Sequence, residues 1–218
     1  MRLPTSVDTS YSDRVIPRSG TQYHLSSGRY RAVVASVGAT LRVLEHDGRP
    51  LILPFDEDEL RPDYRGAVLA PWPNRIADGR YEFAGNTHQL VITEPARHNA
   101  EHGLVAWLEF TPARIAEDHV SLGAILAPSP GYPWRLRCDV STTLTPQGLT
   151  QEIVVTNESD CPAPVGLGGH PYLVASDDPD SRVDDWRLEV PAHEVLLVTE
   201  DRLLPDEVVA VGARPEMD

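Results

Sequence analysis

The sequence predicts an all-β fold, an antiparallel β-sandwich, and three observations predict it. Apolar and polar residues alternate in short runs rich in β-branched side chains. Turn signals separate these runs at regular intervals. The 20 prolines and 15 glycines are spread along the 218 residues, and no stretch of about 12 residues carries a helical stripe.

The elements follow in order. Residues 1–20 are polar and aperiodic and are expected to form a loose leader, with one sandwich domain over 21–218. A first strand begins near Tyr23. Residues 29–36 (RYRAVVAS), 39–45 (ATLRVLE) and 50–53 (PLIL) are strand-like, and Asp47-Gly48 between two of them is a strong hairpin signal. A second hairpin is expected over 79–91, turning at Ala84-Gly85-Asn86. Strands are predicted at 105–115 and 119–126 around Glu117-Asp118. They are also predicted at 135–143 and 149–157 around Pro146-Gln147-Gly148, then at 185–190, 194–199 and 203–211.

Composition bounds the function. All 19 basic residues are arginine, so Schiff-base, pyridoxal-phosphate and Walker-type phosphate chemistries lack their lysine. Against 33 acidic residues they leave a net charge of -14, which argues against nucleic-acid binding. Cys138 and Cys161 lack metal or redox spacing and are expected to be buried, reduced side chains. Asp8 and Asp13 interrupt any secretory signal, and no apolar run reaches the roughly 18 residues of a membrane span. A soluble cytoplasmic protein with no membrane partner is the expectation.

Three polar islands interrupt the strand rhythm. In the first, Asn74 and Arg75 follow Pro71-Trp72-Pro73. Their multiple hydrogen-bonding groups suit a hydroxyl-rich ligand, and Trp72 could stack on a sugar face. The simpler reading pairs Arg75 with one of the many carboxylates. In the second, His102 precedes Gly103, where the backbone can approach a ligand closely. His98 and His102 are four apart, but the loop-like context and the lack of H-E-x-x-H discount a metal site. In the third, Gly166, Gly168 and Gly169 lead to His170-Pro171-Tyr172, which presents one imidazole in an extended setting. A buried histidine at a tight strand crossing is the alternative. There is no G-x-S-x-G elbow and no cysteine beside a histidine, so nothing favours a serine or cysteine nucleophile.

These islands, in this order, resemble the aldose 1-epimerase (galactose mutarotase-like) family. Residues 74–90 (N-R-I-A-D-G-R-Y-x-F) are similar to its asparagine–arginine segment and following hairpin. Residues 99–104 are similar to its N-x-x-H-G segment, and Gly131-Tyr132-Pro133 to its G-Y-P turn. Residues 169–173 are similar to its N-H-x-Y-F segment, with Gly169 and Leu173 in place of asparagine and phenylalanine. The resemblance runs over about 25–211.

The resemblance implies a β-supersandwich that interconverts the α and β anomers of a free aldohexose without metal or cofactor, as a monomer or homodimer. It implies that His170 is the acid that protonates the ring oxygen. His102 is similar to the second histidine of the site, and Asn74, Arg75 and Tyr172 are similar to sugar-binding residues. The family's glutamate base and a hydroxyl-binding aspartate lie well past the histidine–proline region. They have no matching motif here, and Glu200, Glu207 and Glu216 stand in the wrong context. The fold is therefore expected to lack its C-terminal part. A non-catalytic sugar-binding sandwich and a hexose-phosphate 1-epimerase of the same fold are the alternatives.

Overall fold

The computed structural model describes residues 16–176, 178 and 180–213. Four strands form the first sheet in the order β1 (Gln22–Ser27), β2 (Tyr30–Ala35), β3 (Thr40–His46) and β4 (Arg49–Pro50). Five short strands follow: β5 (Val68–Leu69), β6 (Arg75–Ala77), β7 (Arg80–Phe83), β8 (Asn86–Gln89) and β9 (Asn99–Glu101). A second four-stranded sheet is β10 (Thr111–Ile115), β11 (His119–Leu126), β12 (Leu136–Thr145) and β13 (Gly148–Asn157). Then come β14 (Gly168–Gly169), β15 (Glu194–Val198) and β16 (Pro205–Ala210). Every strand pairing is antiparallel. The helical elements among the described residues are three-residue 3-10 turns, and none is long and apolar enough to cross a membrane.

The two large sheets face one another, with β1 and β2 against β11 and β12. Alternation fixes which side chains meet. In β12, Leu136, Cys138, Val140 and Leu144 point inward, while Arg137, Asp139 and Ser141 point out. They pack with Leu25, Val34, Val120 and Leu122 in one core. Tyr132 and Trp134, from the G-Y-P segment, are buried in it; the Tyr132 hydroxyl donates to the Pro164 carbonyl at 2.8 Å.

Several expectations are corrected. Residues 105–110 are not strand, because their amides bond outside any ladder: Val105 N–H donates to Ala70 and Phe110 N–H to Ser36. The 185–190 run alternates but has no partner strand; its start lies in a 3-10 turn at Val183–Asp185 and the rest is unpaired. The 50–53 run keeps only Pro50 in a ladder, and Ile52 forms an isolated bridge to Leu173. Cys138 is buried, and burial pushes its thiol up to about 12, whereas Cys161 is exposed at the end of the β12–β13 hairpin. Residues 1–15 of the expected leader lie outside the described residues. Ser19 and Gly20 are packed into the fold, and Ser19 bonds to the Glu57 carbonyl.

Candidate active site

The site is built where β6 and β9 pair, Arg75 opposite Glu101 and Ala77 opposite Asn99. Asn74 (φ 60°) and His102 (φ 59°) flank the two strands in left-handed conformation. They hold each other: His102 N–H donates to the Asn74 carbonyl at 2.9 Å, and Asn74 N–H donates to His102 Nδ1 at 3.1 Å. A Nδ1 that accepts is unprotonated, so the neutral ring carries its proton on Nε2. Gly103 follows at φ 77°, where a Cβ would collide with the Ala70 carbonyl. The glycine is needed for both reasons.

His170 arrives from β14, which pairs with β5. Its N–H donates to the Ala67 carbonyl at 3.0 Å, and its carbonyl accepts from Gly66 N–H at 2.8 Å. Gly166 lets this segment pass Pro73, whose Cδ would lie 3.0 Å from an added Cβ. The result sets the two imidazoles side by side in one cleft, ring centroids 4.8 Å apart and planes tilted by 59°. Tyr64 stands edge-on to His102, with centroids 4.8 Å apart, and Tyr172 lies beside His170.

The cleft has a volume of about 590 Å³, within the usual range of small-molecule sites. Asn74, Arg75, His102, His170 and Tyr172 all line it. The structure does not bring together His98 and His102: His98 is exposed and its Nδ1 bonds to Asp78, 3.0 Å away. Nor does Trp72 reach the cleft. It packs against the core beneath.

Arg75 does pair with carboxylates, and does so inside the cleft. Its Nε and Nη2 donate to the two oxygens of Glu94 at 2.9 and 3.0 Å. Nη2 also reaches Glu101 Oε1 at 2.7 Å, and Nη1 donates to Asn74 Oδ1 at 3.1 Å. Of the five guanidinium hydrogens, one on Nη1 is left for a ligand. Glu94 is further bonded by Arg97 and Asn99. The Arg75 hydrogen bonds above all hold the Glu94 carboxyl down at about 2. Glu101 shifts the other way, raised chiefly by burial. Burial, with the nearby His170 and Arg75, pushes His102 down to about 4, and burial lowers His170 as well. Both rings are therefore neutral near pH 7.

Tyr64 and Glu94 carry no motif of their own, and Asn99 and Glu101 stand out in the sequence only within the N-x-x-H-G segment. The period of two was the available signal for Asn99 and Glu101, which share a strand face. Glu200 and Glu207 are exposed on the C-terminal hairpin, away from the cleft, and Glu216 lies outside the described residues.

Residues 21–218 match the family model described as aldose 1-epimerase. The chain belongs to the aldose 1-epimerase family. It is 38% identical over 183 residues to the uncharacterized protein YihR of Escherichia coli, covering 84% of this chain and 58% of that one. It is 28% identical over 204 residues to human galactose mutarotase, covering 87% and 58%. Its fold matches the crystal structure of a putative aldose 1-epimerase from Escherichia coli with TM-score 0.72 at 25% identity, over 87% of this chain and 62% of that one. A Caenorhabditis elegans aldose epimerase homologue gives TM-score 0.72 at 22% identity, over 88% and 61%, and shares the fold. The chain thus spans about 58% of the length of these curated family members.

Proposed function

We propose that this chain carries the sugar-binding and acid side of a mutarotase site for a free aldohexose. There the pyranose ring opens, C1 rotates, and the ring closes on the other face. The observation that carries the reading is the pair of adjacent imidazoles, His102 and His170, in one cleft beside the remaining N–H of Arg75. His102, with its proton fixed on Nε2, donates a hydrogen bond towards the ring-oxygen region. His170, in its imidazolium form, transfers a proton to the ring oxygen as the bond from C1 to that oxygen breaks, and the proton of the C1 hydroxyl passes to solvent. Burial makes its imidazolium a stronger acid than a solvated one. Asn74, Arg75 and Tyr172 orient the hydroxyls. Glu200 and Glu207 are not the proton acceptor for the C1 hydroxyl, since they stand outside the cleft.

A phosphorylated sugar suits this cleft less well. Arg75 and Arg97 are already paired with carboxylates, so a phosphate meets competing anions rather than a free cationic clamp.

Polarimetry on freshly dissolved α-D-glucose and α-D-galactose tests the reading, with calorimetry of binding alongside. The expected result is accelerated mutarotation that His170→Asn reduces by about 10²–10⁴-fold with binding retained. Binding without acceleration converts the reading to a non-catalytic carbohydrate-binding sandwich. Neither binding nor acceleration sinks both.

A further inference from the structure

The hairpin formed by β15 and β16 touches the site's scaffold in a way that sugar binding alone does not account for. Among the described residues, every hydrogen bond from 193–213 to the rest of the protein involves one residue, Arg202, in the turn between the two strands. Its Nε donates to the Arg97 carbonyl at 2.9 Å. Its Nη2 shares two hydrogens among three acceptors, the His98 carbonyl at 2.7 Å, Asp78 Oδ1 at 3.0 Å and Asn99 Oδ1 at 3.1 Å. The Arg202 carbonyl accepts in return from Asn99 Nδ2 at 3.0 Å.

Asn99 is the link. It is fully buried, and its Nδ2 also donates to Glu94 Oε2 at 2.9 Å, the oxygen that accepts from Arg75 Nε. A continuous series of hydrogen bonds therefore runs from the hairpin turn through Asn99 and Glu94 to the guanidinium that faces the cleft. Arg202 grips both ends of the Asn99 amide and so fixes which way it points. A reversed amide would turn an oxygen towards Glu94 and a donor towards the Arg202 guanidinium, and would lose both contacts. Burial makes such a loss expensive, because no water is at hand to replace the partners.

We infer that Arg202 is a positioning residue: it orients Asn99, Asn99 orients Glu94, and Glu94 aims the remaining N–H of Arg75 into the cleft. Docking of the C-terminal hairpin and readiness of the sugar site are thereby one event. The sugar-affinity consequence rests on the sugar-site reading above, but the effect on Arg75 does not.

The test uses two readouts on the full chain. The first is the ¹⁵N resonance and solvent-exchange rate of Arg75 Nε–H, which is slowed by its bond to Glu94 and is assigned with Arg75→Lys. The second is the affinity for D-glucose and D-galactose by calorimetry. Arg202→Gln is expected to speed the Nε–H exchange and to weaken sugar binding by about tenfold, a size typical of coupling within one hydrogen-bond network. Arg202→Lys is expected to recover only part of both, because an ammonium lacks the planar fork. Added guanidinium is expected to restore the Arg202→Gln variant. In a double-mutant cycle, Asn99→Ala and Arg202→Gln are expected to be non-additive. Should Arg202→Gln fail to fold, Arg202→Lys carries the same comparison. Wild-type exchange and affinity in these variants would overturn the inference, as would equal effects from the hairpin control Leu196→Ala. If the wild type binds neither sugar, the sugar reading fails, and the Arg75 resonance still decides the role of Arg202.

Discussion

The polypeptide up to Leu144 and the polypeptide after it show the same alternation and make opposite use of it. Every hydrophobic residue that is buried in the described structure lies at or before Leu144. Beyond it, Val154, Leu173, Val183, Leu188, Leu196 and Val208 are all exposed. The first region supplies the two facing sheets except for β13, whose Leu149, Ile153 and Val155 pack half-buried against the core. In the second, β15 and β16 form a hairpin of their own, and its hydrogen bonds to the body run through Arg202. Alternation specifies that a segment has two faces; only a partner makes one of them interior.

The largest expected effect separates the two regions by packing. Leu122→Ala, at a fully buried position, is expected to destabilise by about 2–5 kcal/mol. Leu196→Ala in the hairpin is expected to fall within about 0.5 kcal/mol. Guanidinium unfolding of both variants checks this, and a comparable loss at Leu196 would break the contrast.

Next in size is the removal of a charge from the cleft. Arg75→Ala leaves Glu94 and Glu101 facing each other without their shared cation and is expected to cost about 3 kcal/mol. Replacing Glu94 and Glu101 by glutamine in the same variant is expected to recover much of that loss. Failure of this recovery in thermal melts would mean that the arginine contributes by packing.

A smaller effect is the pH response of the body. His102 titrates near 6.5 when unfolded and at about 4 when folded, so the unfolded chain binds more protons between those values. Stability is expected to be full above pH about 6.5 and to decline as the pH falls towards about 4. Glu94, whose carboxyl is held at about 2, contributes above its ordinary 4.5 and loses that contribution as the pH falls further towards 2. Urea midpoints across this range are expected to flatten between about 4 and 6.5 in His102→Gln. An unchanged slope would place the protonation elsewhere.

The smallest effect is expected at Gly169. An added Cβ there comes no closer than 3.8 Å to Gln151 or Pro171, and the backbone is not left-handed. Gly169→Asn is therefore expected to change stability by less than about 0.5 kcal/mol. A large loss on unfolding would show that the His170 segment is tighter than its geometry.

Much of the fold was legible because each sheet is made of hairpins with local turn signals. Pro146-Gln147-Gly148 sits between strands whose bounds agree with the pattern to within two residues, and Asp47-Gly48 turns the β3–β4 hairpin, although β4 ends three residues before the pattern does. The 185–190 run shows the limit: Trp186, Leu188 and Val190 alternate with charged residues but meet no strand. In the site, glycine and proline settings drew attention to Asn74, Arg75, His102 and His170, the motif resemblance added Tyr172, and all five line one cleft. Their carboxylate partners were not. With 19 arginines and 33 acidic residues, local pattern gives no reason for Arg75 to meet Glu94, or for Arg202 to meet Asn99 across 103 positions. Only the folded path of the chain selects those pairs.

Asn74 and His102 sit in a backbone conformation that costs a side-chain-bearing residue about 1–3 kcal/mol, and so do Asp63 and Tyr64 at the rim of the same cleft. For protein engineering this divides the cleft in two. Glycine at Asp63 relieves local strain while leaving the imidazoles and the arginine in place, so it is a natural first step towards a more heat-tolerant protein. Glycine at Asn74 or His102 relieves the same kind of strain and removes the very group that the strained backbone presents. Heat tolerance and the proposed sugar recognition would therefore be selected against each other at those two positions.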